Sequence, residues 1–288
     1  MKKIQVQLNP YLEYINSILL TGKYNEITTP VVGYGLMNEE ENEYTTAIRS
    51  YLEPYKEHPV YTFIEEMIPQ GFTFARPVEL ALSMGEGKDF SMQYRVSEFC
   101  VECCGGIPKV EELLRLLKEF DREADYYTFY NREKSFYDSY LEKARLVAEA
   151  YPYVALLEKE FGKEQNSYRL ILSSLMKGNF GIVFEDEEAL ERLKPCKLPG
   201  FQSGYGDWKE CVNEHLVRAM VIHLLRRCDL HKEAEEQLSC DLGLGYKYIP
   251  MLLESYEYYD RNRKSYLDFE SYYPEVLKVF AKDFETVV

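Results

Sequence analysis

The chain of 288 residues carries 34 Lys and Arg against 49 Asp and Glu, a formal charge of -15, so it lacks the basic footprint that a nucleic-acid backbone or an anionic membrane surface demands. Its 46% hydrophobic and 15% aromatic content, with 26 Tyr and 15 Phe, excludes wholesale disorder. No apolar run is long enough to span a membrane, Met1-Lys2-Lys3 is followed by alternation and not by an export signal, and the seven cysteines are odd in number and irregularly spaced, so the expectation is a cytoplasmic protein without a disulfide framework.

Lys2 to Leu8 alternates as a short strand does, and Asn9-Pro10 is a helix start with Asn as cap and Pro at the first position, which predicts a helix over Tyr11 to Leu20. Apolar residues at helical spacing predict further helices over Asn42 to Tyr55, Val60 to Ile68, Pro77 to Met84 and Pro108 to Phe120. Tyr126 to Glu149 reads as one long Tyr-rich helix, and Tyr153 to Phe161 as another. The period then changes. Tyr168 to Leu175 and Gly181 to Phe184 look like two strands around the turn residues Gly178-Asn179, a small hairpin. Glu185 to Glu191 suits a solvated helix, and Pro195 to Gly206 is the clearest loop. Helices are predicted again over Trp208 to Arg227, His231 to Leu238, Ile249 to Tyr259 and Tyr272 to Phe284.

The sequence has no Walker A segment, Rossmann glycine fingerprint or G-x-S-x-G elbow, which removes support for nucleotide and α/β-hydrolase chemistry. Cys100, Cys103 and Cys104 include a C-x-x-C, but no second pair of soft ligands follows, so they read as buried small apolar residues. On the helix from Trp208, His223 shares a face with Val212, Leu216, Ala219 and Met220, as a core histidine would. His215 and His223 are too far apart on that helix to grip one ion as an i, i+4 pair does. Glu214 and Arg218 have the spacing of an intrahelical ion pair. The alternative for Glu214 rests on Asn213-Glu214, because an Asn-Glu pair in a helix is how many zinc peptidases present their third ligand.

The ordered segments Asn9-Pro10-Tyr11-Leu12-Glu13-Tyr14-Ile15, Tyr55 to Val60, Phe129-Tyr130 to Phe136-Tyr137, Leu172 to Gly181, and Trp208 to Ala219 resemble an uncharacterised bacterial family of gluzincin-like metallopeptidases, a domain of unknown function. The resemblance implies an α+β, predominantly α-helical fold. A helical N-terminal region, about 1–162, would pack on a degenerate zincin-like region, 163–288, with a small β-hairpin or sheet, the two forming separate regions or one continuous unit. It makes Glu214 the remnant of a glutamate ligand. Between the hairpin and Trp208, where the family's H-E-x-x-H helix belongs, Ile182 to Asp207 holds no histidine and is short for that helix, so deletion is the simplest account.

The expectation is a catalytically inactive relative acting as a binding or regulatory protein, with no metal or other cofactor. Its partner would be a protein or peptide, not nucleic acid or membrane. The alternatives are a hydrolase or peptidase whose site is relocated around Glu214 and His215 with carboxylates such as Asp207 or Glu210, holding zinc with help from His58 or His231, and a helical interaction scaffold using the Tyr-rich faces of 126–140 and 246–273.

Overall fold

The computed structural model describes residues 4–85, 89–164, 167–178, 180, 208–266 and 268–281. The fold is α+β and predominantly α-helical. After strand β1 (Ile4–Leu8) come helices α1 (Pro10–Thr21), α2 (Tyr24–Val32), α3 (Glu43–Leu52), α4 (Pro59–Met67), α5 (Ala75–Ser83), α6 (Glu98–Cys103), α7 (Ile107–Ala124), α8 (Tyr126–Arg132), α9 (Lys134–Ala150) and α10 (Tyr153–Phe161). Strand β2 (Tyr168–Leu172) follows, then α11 (Trp208–Arg227), α12 (His231–Gly243), α13 (Ile249–Arg261) and α14 (Phe269–Ala281). These elements sort into two compact units: an N-terminal one from Ile4 to Tyr151 that takes in the chain again from Arg169, and a C-terminal one from Pro152 to Tyr168 that resumes with α11.

In the N-terminal unit α1 is the central element. The Asn9 side chain accepts from the Leu12 amide at 2.9 Å, and its own amide donates to the Gly85 carbonyl at 2.8 Å, so one residue both caps the helix and ties it to the end of α5. Every residue from Tyr11 to Thr21 is buried. A helix buried on all sides must satisfy its polar side chains internally. Ser17 shares a hydrogen bond with Tyr126 at 2.7 Å, Thr21 shares one with Tyr61 at 2.9 Å, and the Tyr14 hydroxyl donates to the Leu117 carbonyl at 2.7 Å. Leu113, Leu116, Leu117 and Phe120 of α7 complete this core, as their spacing predicts.

The structure differs from the expectations, or adds to them, at three places. Strand β2 pairs in parallel with β1, a partner the sequence did not suggest, while the second strand of the expected hairpin, Gly181 to Phe184, lies outside the described residues, as do the segments 185–191 and 195–206. The long helix over 126–149 is two helices, because the backbone leaves the α conformation at Glu133. On an unbroken helix Tyr130 and Tyr137 would stand about 10 Å apart along the axis; the break brings their rings to 4.7 Å. Helix α2, in a segment for which the sequence analysis predicts no element, runs through Thr28-Thr29-Pro30 and is anchored by the fully buried Tyr24.

The C-terminal unit is a helical bundle. Val212, Leu216, Ala219 and Met220 of α11 form one core with Ile249, Leu252, Leu253, Tyr256 and Tyr259 of α13 and Tyr272 and Val276 of α14. Helix α12 lies alongside α11, fixed by Arg218 to Asp241 and by Arg226 to Glu235, both at 2.7 Å. No helix among the described residues is long and apolar enough to cross a membrane.

Candidate functional site

Successive residues on a helix are rotated by about 100°, so neighbours in sequence face different surroundings. Glu214 and His215 show the consequence. Glu214 is about 42% exposed and accepts from Arg218 Nε at 3.2 Å. His215 turns inward: its Nδ1 lies 2.8 Å from the Cys211 carbonyl, and its ring packs edge-on against Tyr246, Tyr248 and Phe280. Burial lowers the His215 pKa, which keeps the imidazole neutral. The Arg218 guanidinium also reaches the buried Asp241 at 2.7 Å and lies over the Tyr246 ring at 4.2 Å. Glu214 is therefore the outer member of an Arg218-centred ion network.

A zincin metal needs three converging ligands with an open fourth position. The residues around Glu214 do not fit that requirement, since its carboxylate is held by an arginine and the adjacent imidazole is walled in by aromatic rings. His58 caps α4 by accepting from the Val60 amide, and His231 is exposed at the start of α12 beside Asp229. Neither joins Glu214 in a group able to share an ion among the described residues. Asp207 and the Glu210 side chain lie outside the described residues. Cys100, Cys103 and Cys104 are buried, and the hydrogen bond with Cys104, followed by burial, raises the Cys100 thiol far above its ordinary range, which leaves it inert.

Two polar centres escape sequence reasoning. The first lies in the C-terminal unit, where Glu160 of α10, His223 and Arg227 of α11, Asp260 of α13 and the following Arg263 meet. His223 is a core residue as its helix face predicts, but its Nε2 faces carboxylates, 3.0 Å from Asp260 and 3.8 Å from Glu160. The second is Glu13, fully buried in α1 with no cation beside it among the described residues. Tyr44 donates to its Oε2 at 2.8 Å, the Tyr137 hydroxyl lies 2.6 Å from that of Tyr44, and Ser173 also hydrogen-bonds the carboxyl. Desolvation pushes the Glu13 pKa up to about 7 despite those bonds, so the group stays protonated into the neutral range. A lone acid in the otherwise uncharged helix Pro10–Thr21 is the sequence signal that marks it.

The profile of DUF4932, a domain of unknown function, matches the chain in two stretches, residues 4–194 and 183–279. The chain belongs to the DUF4932 family. Its two matched stretches meet at 183–194, inside the segment without histidine that precedes α11. No curated protein and no solved structure matches this DUF4932 chain. Both Glu13 and Glu214, and the Glu160–His223–Asp260 junction, fall within the matched residues.

The C-terminal unit also carries a surface groove of about 460 Å³ between the end of α10 and the start of α14, lined by Leu157, Phe161, Tyr168, Phe269 and Tyr273, with Lys163 and Glu270 at its rim. That volume is in the range of small-ligand and side-chain pockets. The Tyr-rich faces proposed for a scaffold are largely internal: Tyr126, Phe129 and Tyr137 are buried in one unit, and Tyr246, Tyr248, Tyr256, Tyr259 and Tyr272 in the other.

Proposed function

We propose that this DUF4932 chain is a non-catalytic relative of gluzincin-like metallopeptidases that works as a peptide- or protein-binding protein. The observation that carries the reading is the state of Glu214. Its carboxylate, placed by the Asn213-Glu214 pair where a third zinc ligand would stand, is engaged by Arg218, and Arg218 is held in turn by the buried Asp241 and the Tyr246 ring. An ion network of this kind converts a ligand position into a structural one. The meeting of the two family matches at 183–194 gives further support, since that is where the metal-binding helix would have been lost.

Binding is assigned to the groove between α10 and α14, whose aromatic wall suits an apolar side chain and whose Lys163 and Glu270 suit a polar peptide backbone. Apart from Tyr273 in the groove and the exposed Tyr127 and Tyr258, the tyrosines of 126–140 and 246–273 mostly serve packing, which leaves the scaffold reading with little surface to act through.

Peptides selected from a random library on the wild-type protein test the assignment. They are expected to bind, to lose binding with Tyr273→Ala, and to be recovered intact after incubation with zinc. Cleavage of those peptides that disappears in Glu214→Ala would overturn the non-catalytic reading, and binding unaffected by Tyr273→Ala would overturn the groove assignment.

A further inference from the structure

Of the two side chains that hydrogen-bond Glu13, Tyr44 is buried and Ser173, on the segment that follows β2, is only half-buried. The directions of the bonds in this cluster can be read. Ser173 Oγ accepts from Asn16 Nδ2 at 3.0 Å and from the Leu175 amide at 3.3 Å, so its own hydrogen goes to the Glu13 carboxyl. Tyr44 gives its hydrogen to Glu13 Oε2 and therefore receives one from Tyr137. Asn16 Oδ1, in a fully buried side chain one turn along α1, has no donor among the described residues. A buried acceptor left without a donor is costly. Residues three apart on a helix are neighbours, and the hydrogen that Asn16 lacks is the one a protonated Glu13 carries.

The groups that face the carboxyl are Asn16 and Ser17 of α1, Tyr44 of α3, Tyr126 and Tyr130 of α8, Tyr137 and Tyr140 of α9, and Ser173. Burial holds all five phenols above their ordinary range, so every one of these groups is neutral, and no charged side chain among the described residues bears on Glu13. A carboxylate formed here has no counter-charge and meets the Asn16 oxygen as a second acceptor. Tyr44, Tyr126 and Tyr137 are packed in the core. The segment bearing Ser173 is a strap: the Asn38 amide donates to the Leu175 carbonyl at 2.7 Å, the Lys177 amide donates to the Leu36 carbonyl at 2.8 Å, and Asn38 Nδ2 donates to the Ser174 carbonyl at 3.2 Å. Among the described residues its hydrogen bonds to α1 are those of Ser173. Water therefore reaches Glu13 at least cost by lifting Ser173.

We propose that Glu13 is a proton-operated latch: with its proton in place it closes the Asn16–Ser173 cluster and holds the strap 173–177 on α1, and its ionisation releases the strap so that water reaches the carboxylate. Desolvation, which pushes the Glu13 carboxyl up to about 7, places the change in the neutral range. The released strap exposes a carboxyl of ordinary acidity, so its population relative to the closed form rises as pH climbs from that ordinary value and levels off above the folded one. The latch belongs to the N-terminal unit and is independent of Glu214 and of the groove.

Hydrogen exchange of the full-length protein, followed by mass spectrometry at pH 5, 6.5 and 8, tests it. Wild type and Glu13→Gln are compared at the same pH, which cancels the intrinsic dependence of exchange on pH. The wild-type rate over 173–177, relative to the variant, is expected to rise by more than about tenfold from pH 5 to pH 8, while α7 keeps one ratio throughout. In the wild type alone, the rate over 173–177 relative to that of α7, each corrected for intrinsic exchange, should rise in the same way, a readout that needs no variant. A strap whose relative exchange does not change with pH overturns the latch. So does the same pH dependence in Glu13→Gln, or a change shared equally by strap and α7, which would mark global loosening.

Discussion

Replacing Glu13 with Gln removes a buried acid while keeping an oxygen for the Tyr44 hydroxyl. In the unfolded chain this carboxyl ionises at its ordinary pKa of 4.5; in the folded protein it holds its proton to about 7. Between those values unfolding releases a proton, so stability falls as pH rises, at about 1.4 kcal/mol per pH unit, and the loss is complete above the folded pKa. The wild type should therefore lose roughly 3 kcal/mol relative to Glu13→Gln between pH 4.5 and pH 8. The groups around it offer no compensation: Tyr44, Tyr126, Tyr130, Tyr137 and Tyr140 feel the charge as an unfavourable neighbour, and Ser17, Ser173 and Asn16 are neutral. Urea melts of both proteins at pH 4.5, 6 and 8 measure the difference. A gap between variant and wild type that does not change with pH, or that closes as pH rises, refutes the reasoning.

Arg218→Ala leaves the fully buried Asp241 with Gln237 but without its cation and should cost about 3 kcal/mol, whereas Glu214→Ala, at the half-exposed end of the same network, should cost under about 1 kcal/mol; chemical denaturation separates the two. Among the described cysteines, thiol labelling of the native protein should begin at the exposed Cys240, with Cys100, Cys104 and Cys211 modified only on unfolding, because all three are buried, burial pushes the Cys211 thiol up to about 11, and the hydrogen bond with Cys104 together with burial raises that of Cys100. Mass spectrometry after a short pulse of labelling reads the order. Asn9→Ala loses both the helix cap and the bond to Gly85 and should lower stability by about 1–2 kcal/mol in the same melts.

Local features of the fold were legible where the signal lies within one segment. Asn9-Pro10 announces α1, the Val212, Leu216, Ala219 and Met220 spacing gives the buried face of α11, and the leucines of α7 face the core. Strand pairing was not legible, because β2, in the middle of the chain, joins β1 near its start, and nothing in Tyr168 to Leu175 favours that partner over a nearer one. Helix α2 was hidden by Thr28-Thr29-Pro30, residues whose weak helical preference is overridden by tertiary packing around Tyr24.

The same division applies to the sites. The Glu214–Arg218 pair was readable from a spacing of four, but Asp241, which decides the role of Arg218, comes from another helix. Glu13 was on view in the motif Asn9 to Ile15, yet its perturbation arises from Tyr44, Tyr137 and Ser173, which approach only in the folded unit. His223 was correctly read as buried; that its ring nitrogen would face Glu160 and Asp260 depends on how α10 and α13 flank α11. Family membership adds the matched residues and the overlap of the two stretches at 183–194.

The most direct measurement of the central claim is a comparison of wild type and Glu214→Ala, both incubated with zinc, for cleavage of an unbiased peptide mixture followed by mass spectrometry. The account predicts no cleavage by either. Cleavage by the wild type that vanishes in Glu214→Ala would contradict it.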